Sequence, residues 1–384
     1  MKELFRGILC LFLLGGAGLS EALETIEEGR IAIAQVALPA VIDQLSPQID
    51  QLRRELSGLS TKGGLHSTVA DAGQTLWSAA RQQVQREKTY DDRGLYWNRL
   101  IVTQLLRNYQ FQFDLTQAER EQIIEKFELT SRGYGELVYT GLSDLKILIT
   151  GFDPFHLDKR ITQSNPSGVA VLSLSGRTVR SGGLSAEIQG VTVPVRYSDF
   201  DDGEIEALLR PFYSDDRVDM IVTVSMGRTG FDLERFPGRR RSSSSLGNLN
   251  EHTGGRETDP QIPLLQGQPL LGPEFVEFSL PALAMMKATG SFGVRDNAMV
   301  TTLAGSFSAA SLAQLAGHIA VRGSGGGYLS NEISYRSIRL RNQLGSDIAT
   351  GHIHTPRISA FDSEILERIV KQIEDMLEQA LPAL

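Results

Sequence analysis

The stretch LKILITGFDPF, residues 145–155, decides the fold class of this chain of 384 residues. Its first six residues form a short run that is rich in aliphatic and β-branched side chains and has no helical periodicity. Gly151 and Phe152 follow the run directly. A run of this kind predicts a buried strand that ends in a loop.

Strand-like and helical runs alternate after this stretch. The strand-like runs are 187–195 and 220–225, and helical periodicity marks 204–212 and 361–381. Strands and helices that alternate at these lengths predict an α/β layer fold with a largely parallel sheet.

Ligands of such folds bind at the carboxyl ends of the strands, so the loops there are where we expect chemistry. The loops in question follow Thr150, Ser225, Arg322 and His354. They contain the sequences GFDPF (151–155), GRTGFDLER (227–235), GGGYLSN (325–331) and GHIHTP (351–356).

The region before the α/β pattern, residues 23–140, is predicted to be all helical. Apolar residues recur in it at helical spacing, and Thr116 with Glu119 forms a capping box at the start of one helix. No titratable cluster with catalytic spacing occurs here. Trp77 and Trp97 could mark a binding face, but aromatic residues at helical spacing favour a core position.

The N-terminus, residues 1–22, has the layout of a secretory signal peptide. Lys2 and Arg6 precede an apolar run at 8–14, and 20–22 is a plausible cleavage site. The run is shorter than the roughly 20 residues that span a bilayer, so no permanent membrane span is expected in the mature chain. The sequence therefore predicts a secreted or periplasmic protein.

Composition narrows the classes of partner and chemistry. The chain is 41% hydrophobic and 22% charged, as in ordinary globular proteins, and its net charge of −8 argues against a nucleic acid as partner. Cys10, the only cysteine, lies inside the predicted signal peptide. Removal of that peptide would leave no disulfide, no thiolate metal site and no cysteine nucleophile.

Three side chains in the loops could form a nucleophile, a base and an orienting carboxylate: Ser330, His354 and Glu234. A hydroxyl is a poor nucleophile until an adjacent imidazole takes its proton, and a buried carboxylate fixes the tautomer of that imidazole. Amides at the start of the helix after the glycine run could stabilise an oxyanion.

Structural roles for the same residues stay open on the sequence alone. Ser330 could cap the following helix. His354 could be a hydrogen-bonded residue at a strand end, and His352 is an equal candidate for the base. Glu234 could form a local ion pair with Arg235.

Six motifs, in order along the chain, resemble those of the pyroglutamyl peptidase type I family, the pyrrolidone-carboxylate peptidases. They are ILITGFDPF, SNPSGVA, VPVRY, GRTGFDLER, YLSN and GHIHTP, and the resemblance covers 145–384. It implies a three-layer α/β/α sandwich preceded by the helical region. It also implies a cysteine-peptidase mechanism that removes an N-terminal pyroglutamyl residue from a peptide substrate and needs no metal or cofactor.

The resemblance also assigns site residues. It places the catalytic carboxylate at Glu234, the histidine at His354 and the nucleophile at Ser330, where the family has cysteine. Phe152 and Phe155 match aromatic residues that line the family's pyroglutamyl pocket. Tyr328 and Leu329, next to the nucleophile, are added as substrate-binding residues.

The chain departs from the family at four places. Serine replaces the nucleophilic cysteine; the polar segment 236–255 replaces a short substrate-holding segment; 292–316 is an apparent insertion; and the helical region has no counterpart. The first hypothesis is a pyroglutamyl-peptidase-like hydrolase that uses serine. The second is a non-catalytic pseudoenzyme that binds a peptide terminus, or a protein partner through its helical region. The third is a structural protein whose pocket stays empty.

Overall fold

The computed structural model describes residues 24–384. The predicted signal peptide, residues 1–22, lies outside the described residues. Within 24–384, none of the helices combines the length and the apolarity that crossing a membrane requires.

Between residues 24 and 140 the structure is helical, as predicted. Its α-helices are α1 (Ile31–Ala37), α2 (Pro39–Asp43), α3 (Ser46–Gly58), α4 (Leu65–Arg86), α5 (Arg93–Asn108) and α6 (Gln117–Ser131). The Thr116 hydroxyl accepts from the Glu119 amide at 3.2 Å and the Thr116 amide donates to the Glu119 carboxylate at 2.8 Å, which confirms the capping box. Trp77 and Trp97 are fully buried in the core, as expected.

The rest of the described chain alternates strands and helices. The strands are β1 (Leu145–Phe152), β2 (Thr178–Ser181), β3 (Leu184–Val193), β4 (Met220–Met226), β5 (Phe231–Glu234), β6 (Leu264–Leu265), β7 (Gln268–Pro269), β8 (Val294–Asn297), β9 (Met299–Thr302), β10 (Gly305–Ser308), β11 (Ala320–Arg322) and β12 (Ala349–Thr355). The helices are α7 (Pro166–Leu174), α8 (Tyr197–Asp201), α9 (Glu204–Ser214), α10 (Ala282–Met285), α11 (Leu329–Leu344) and α12 (Ser363–Ala380).

The central sheet has the strand order β2-β3-β1-β4-β12-β5-β8. The pairs β3–β1, β1–β4, β4–β12 and β5–β8 are parallel. The edge pair β2–β3 and the pair β12–β5 are antiparallel. The predicted α/β class with a largely parallel sheet is therefore confirmed.

Helices cover both faces of this sheet. Helices α7 and α12 pack on one face, and α9 and α11 on the other. Side chains of β1 alternate between the two layers, because Ile147 and Ile149 join the core under α7 and α12 while Leu148 joins the core under α9 and α11. This arrangement explains why the run from which the strand was predicted is apolar throughout.

One predicted strand does not belong to the central sheet. The strand before the glycine loop, β11, pairs antiparallel with β9 in a separate sheet of order β10-β9-β11. The expectation that Arg322 ends a strand of the main parallel sheet is wrong. A strand of three residues has too little periodicity to reveal its partner, and here β9, from the apparent insertion 292–316, provides that partner.

Candidate active site

The sheet brings Glu234 and His354 together. In the antiparallel pair β5–β12, Leu233 lies opposite Ile353 and Asp232 opposite His354, so Glu234 and His354 are diagonal neighbours on one face. His354 Nδ1 and Glu234 Oε1 are 2.6 Å apart. The Glu234 side chain is fully buried and that of His354 is 9% exposed, so water competes little for this bond.

This bond fixes the tautomer of His354. A carboxylate can only accept, so Nδ1 carries the proton that it donates to Glu234. In the neutral ring Nε2 is then unprotonated and can accept a proton. Within residues 24–384 the His354 ring makes no other hydrogen bond. The arrangement is that of a base and the carboxylate that orients it.

Ser330 is the second residue of α11. The glycine loop that precedes this helix lies beside His354. A Cβ built on Gly325 would lie 3.6 Å from His354 Cε1, so a side chain at this position would touch the ring. The Ser330 hydroxyl donates to the Gly325 carbonyl at 3.3 Å, and no hydrogen bond joins it to His354 within residues 24–384. Hydrogen bonds between catalytic groups are often long or misaligned before substrate is bound, so this geometry does not exclude a nucleophile.

The structure decides against two of the structural roles that were left open, the cap for Ser330 and the ion pair for Glu234, whereas His354 does lie hydrogen-bonded near the end of a strand. Tyr328, not Ser330, is the N-cap of α11. Arg235 pairs with Asp296 and Glu277 at 3.1 Å, and not with Glu234.

His352 is also unsuited to act as the base. Its two ring nitrogens are 2.8 Å from the hydroxyls of Thr223 and Ser225. Burial, and to a lesser degree the charge of His354, lower the pKa of His352 well below its ordinary value. Both nitrogens are thus occupied by β4, and the ring stays neutral.

The start of α11 offers donors for an oxyanion. The amides of Asn331 and Glu332 donate to the Tyr328 carbonyl at 3.0 and 3.1 Å. Within the described chain, the amides of Leu329 and Ser330 have no acceptor. Two free N–H groups at the positive end of a helix favour a negatively charged oxygen beside the Ser330 hydroxyl.

A cavity beside Ser330 is lined by the predicted substrate-binding residues. Its walls are Phe152, Phe155, Asn165, Val195, Ser225, Met226, Tyr328, Leu329 and Ser330. Phe152 and Leu329 are buried, whereas Phe155 and Tyr328 are partly exposed, with ring centroids 6.4 Å apart. The cavity volume is about 30 Å³, room for roughly one water molecule.

The polar segment 236–255 forms part of the surroundings of this cavity. The amides of Ser242 and Ser243 donate to the Gly327 carbonyl at 3.0 and 3.1 Å, and the Tyr328 hydroxyl donates to the Leu246 carbonyl at 2.8 Å. Gly327 permits this approach, since a Cβ there would lie 2.0 Å from the Ser242 hydroxyl. The segment is therefore hydrogen-bonded to the loop that carries Ser330.

Two features of the site were not found from the sequence. Asn297, at the end of β8, donates to Glu234 Oε2 at 2.8 Å. The carboxylate of Asp153, in the GFDPF loop, is paired with Arg99 and Arg132 of the helical region at 2.6 and 2.7 Å. Both contacts join residues far apart in the chain, and no local pattern indicates them. Within the described range, no three histidine, cysteine or acidic side chains cluster as a metal site would need.

Two family models match different parts of the chain. Residues 17–128 match the family model of the PA0049 N-terminal domain, and residues 146–269 and 294–359 match that of the PA0049 C-terminal domain. An uncharacterized protein of Pseudomonas aeruginosa, PA0049, is 32% identical over 201 residues. This match covers 46% of the present chain and 36% of the length of that protein.

Solved structures of pyrrolidone carboxyl peptidase from Pyrococcus furiosus also resemble this chain. A mutant form is 20% identical and covers 62% of this chain and 100% of its own, with a TM-score of 0.43. A second structure, from a study of that peptidase and its cysteine-free mutant, is 19% identical and covers 62% and 99%, also with a TM-score of 0.43.

Proposed function

We propose that this chain, which matches both PA0049 domain models, is a hydrolase that removes an N-terminal pyroglutamyl or related cyclic residue from peptides. Ser330 is the nucleophile, His354 the general acid and base, and Glu234 the orienting carboxylate. The observation that carries the proposal is the buried 2.6 Å contact between His354 and Glu234 beside the Ser330 cavity. The six motifs that resemble pyroglutamyl peptidase support the choice of substrate.

The chemistry follows from the positions of the side chains. The Ser330 oxygen attacks the carbonyl carbon while His354 Nε2 takes its proton, and Glu234 stabilises the imidazolium. The oxyanion receives hydrogen bonds from the amides of Leu329 and Ser330. Collapse breaks the C–N bond, and the leaving amine takes the proton from His354. Water then attacks the acyl carbon while His354 takes a proton from it, and the Ser330 oxygen receives that proton as the ester bond breaks and the acid leaves.

The cavity suits a small cyclic amide. Phe152, Phe155 and Tyr328 offer apolar faces to the ring. Because the cavity is smaller than such a ring, we expect binding to displace Phe155 or Tyr328, the two partly exposed aromatic walls. Substrate selection by this site is therefore of the induced-fit type.

Serine makes the site wholly dependent on its base. A thiol at a helix start has a lowered pKa and is partly ionised near neutral pH, whereas a hydroxyl is not. The predicted export of the protein is part of the proposal, because an exposed reactive thiol outside the cytoplasm would be open to oxidation. Fusion of residues 1–22 to a reporter that folds only after export tests this part: export is expected, and a reporter retained in the cytoplasm would contradict it.

The second candidate function is binding of a peptide terminus without turnover. One observation favours it: the Ser330 hydroxyl donates to the Gly325 carbonyl and not to His354. In that case replacement of the pocket residues would weaken binding, and replacement of His354 would not. The two candidates differ in what replacement of His354 does, which a binding measurement and a rate measurement together reveal.

Turnover of a fluorogenic pyroglutamyl amide tests the proposal. The parent should turn over, and Ser330→Ala should lose at least about 10³-fold in kcat. Ser334→Ala is the matched control, a serine one turn later in α11, and it should retain parental activity. If the parent is silent and Ser330→Cys turns over, the rest of the site is intact and serine has switched the chemistry off. Silence in every form would contradict the pyroglutamyl assignment.

Calorimetric titration with a pyroglutamyl dipeptide separates the two candidates. A hydrolase whose His354→Gln variant is inactive should still bind the dipeptide in that variant, since His354 does not line the cavity. Binding by the parent without turnover, unaffected by His354→Gln, would establish the second candidate instead.

A further inference from the structure

We infer that Asn297 is a positioning residue that holds the Glu234 carboxylate in line with His354 and ties it to the loop of Ser330. The catalytic consequence rests on the proposed function, whereas the positioning itself does not. Asn297 lies within the segment 292–316, which is an apparent insertion relative to the motifs of the family that the sequence resembles. The inference gives part of that segment a role in the site.

The sheet places Asn297 beside the carboxylate. Strands β5 and β8 are parallel neighbours, and their register pairs Glu234 with Asn297. The Asn297 amide donates to Glu234 Oε2 at 2.8 Å, while Glu234 Oε1 faces His354. Both carboxylate oxygens are thus fixed, so the carboxylate cannot rotate about its last bond without breaking one contact.

The orientation of the Asn297 amide is itself determined. Its nitrogen also donates to the Ser324 carbonyl at 3.0 Å, and its oxygen accepts from the Met299 amide at 3.2 Å. A flipped amide would set oxygen against the two acceptors and nitrogen against a donor. The side chain is therefore locked with its donor toward Glu234.

Through Ser324 the same amide reaches the loop of the nucleophile. Ser324 precedes Gly325, whose carbonyl accepts the Ser330 hydroxyl at 3.3 Å. The Ser324 amide donates to the Phe236 carbonyl, and the Phe236 amide donates to the Ser324 hydroxyl, both at 2.9 Å. One neutral amide thus connects the carboxylate with the glycine loop.

Neutrality is what suits an amide to this position. A cation there would compete with His354 for the charge of Glu234, whereas an amide orients the carboxylate and leaves the charge in place. The neighbouring cations are taken by other acids, since Arg295 pairs with Asp232 and Arg235 with Asp296. Glu234 therefore remains the partner of the imidazole.

The proton of His354 Nδ1 gives a readout that does not depend on turnover. A proton held between an imidazole and a carboxylate gives a far-downfield proton resonance, which His354→Gln identifies by its loss. The parent should show this resonance, and Asn297→Ala should shift it upfield or broaden it. Asn98→Ala is the matched control, because the Asn98 amide is also buried and donates to two backbone carbonyls, at 3.0 and 2.8 Å. It should leave the resonance unchanged.

A second variant guards against loss of folding. Asn297→Asp keeps the size of the side chain but places a second carboxylate against Glu234, and it should disturb the resonance as well. A resonance unchanged in both variants, or missing from the folded parent, would overturn the inference.

Kinetics separate this inference from the proposed function. If the parent turns over, Asn297→Ala should lower kcat about 10- to 100-fold with KM unchanged, an effect of the size that hydrogen-bond partners of metal ligands have in metal sites. If the parent is silent, the proposed function fails while the resonance still decides the role of Asn297. An Asn297→Ala rate equal to that of the parent would overturn the catalytic role.

Discussion

His352 and His354 lie two residues apart on one face of β12, with ring centroids 4.8 Å apart, yet their surroundings give them different chemistry. Two hydroxyls of β4 occupy both nitrogens of His352. Glu234 occupies only Nδ1 of His354. At the scale of single residues, hydrogen-bond partners therefore distinguish the two histidines, because of the two only His354 keeps a ring nitrogen without a partner within residues 24–384.

We expect Glu234→Gln to abolish most turnover without unfolding the protein. The amide oxygen of the new glutamine is needed to accept from Asn297, so its nitrogen would face His354. Nδ1 would then have to accept, the proton would move to Nε2, and the base would be lost. A fall of about 10⁴-fold in kcat is expected for the wrong tautomer.

Steady-state kinetics of Glu234→Gln beside Glu277→Gln checks this expectation. Glu277 pairs with Arg235 nearby and does not contact the histidine, so its replacement should leave kcat within a few-fold of the parent. A Glu234→Gln rate within tenfold of the parent would show that the tautomer of His354 does not matter.

Sequence could single out Ser330, His354 and Glu234 as candidates because each sits in a short motif with a characteristic neighbour, and their catalytic roles stay predictions. It could not predict Asn297, whose contact with Glu234 depends on the pairing of two strands separated by about sixty residues. Without the family resemblance, which selects His354, the sequence leaves His352 and His354 equal, and the neighbouring strand distinguishes them by its hydrogen bonds.

At the scale of elements, the start of α5 holds the loop before α7. Asp92 precedes α5 and accepts from the Ser164 hydroxyl at 2.6 Å and the Asn165 amide at 3.0 Å. Asn165 lines the candidate cavity, so Asp92 supports one of its walls. Burial, and to a lesser degree neighbouring Asp91, raise the pKa of Asp92 to about 8, although the hydrogen bonds and Arg93 oppose the shift.

This raised pKa predicts a pH-dependent contribution to stability. The folded protein keeps a proton on Asp92 that the unfolded chain loses near the ordinary carboxyl pKa, 3.8. The contribution is complete below that value and is lost as pH rises toward about 8. Asp92→Asn mimics the protonated acid, so relative to the parent it should gain up to about 1.4 kcal/mol per pH unit within this window.

Urea unfolding of the parent and Asp92→Asn across this pH window measures the difference. Asp71→Asn, an exposed acid on α4, is the control and should show no trend with pH. A difference between the parent and Asp92→Asn that is constant with pH would mean that Asp92 is ionised in the folded protein.

Most elements were predictable because their patterns are local. The apolar run at 145–150 predicted β1. Helical periodicity at 204–212 and 361–381 matches α9 and α12 within a few residues. The strand β11 was assigned to the wrong sheet because its pairing with β9 is not encoded in three residues. Local pattern thus predicts an element better than its partner.

At the scale of the whole molecule, buried charges of the helical region meet the motif loops of the α/β region. Arg99 and Arg132 pair with Asp153 of GFDPF, and Glu27 pairs with Arg196 of VPVRY at 2.5 Å. Arg99, Arg132, Glu27 and Asp153 are nearly inaccessible to solvent. The helical region therefore holds these two loops through buried ion pairs.

We expect the two regions to unfold together and Arg99→Met to destabilise both. The variant leaves the Asp153 carboxylate buried with one arginine fewer, at a cost of about 3 kcal/mol. Tryptophan fluorescence reports the helical region, since Trp77 and Trp97 are the two tryptophans of the chain. Amide exchange in β1 reports the sheet.

In Arg99→Met, both probes should report the same decrease in the free energy of unfolding. Arg53→Ala, which removes an exposed pair with Asp50, should cost less than about 1 kcal/mol. If the fluorescence transition shifts while the amides of β1 remain as protected from exchange as in the parent, the two regions are energetically independent.

Sequence could not predict this interface. Charged residues at helical spacing usually lie on a solvated face, and only packing against the second region buries Arg99 and Arg132. The boundaries at 23–140 and 145–384 stay predictions, although the helices end at Ser131 and the sheet begins at Leu145.

Capture of the acyl-enzyme tests the central claim most directly. The protein is mixed with an activated pyroglutamyl ester, quenched in acid within the first turnover, digested and analysed by mass spectrometry. The account predicts one pyroglutamyl group on the peptide that contains Ser330, and none on that peptide in Ser330→Ala. Product formed without a pyroglutamyl group on Ser330, or no reaction at all, would contradict it.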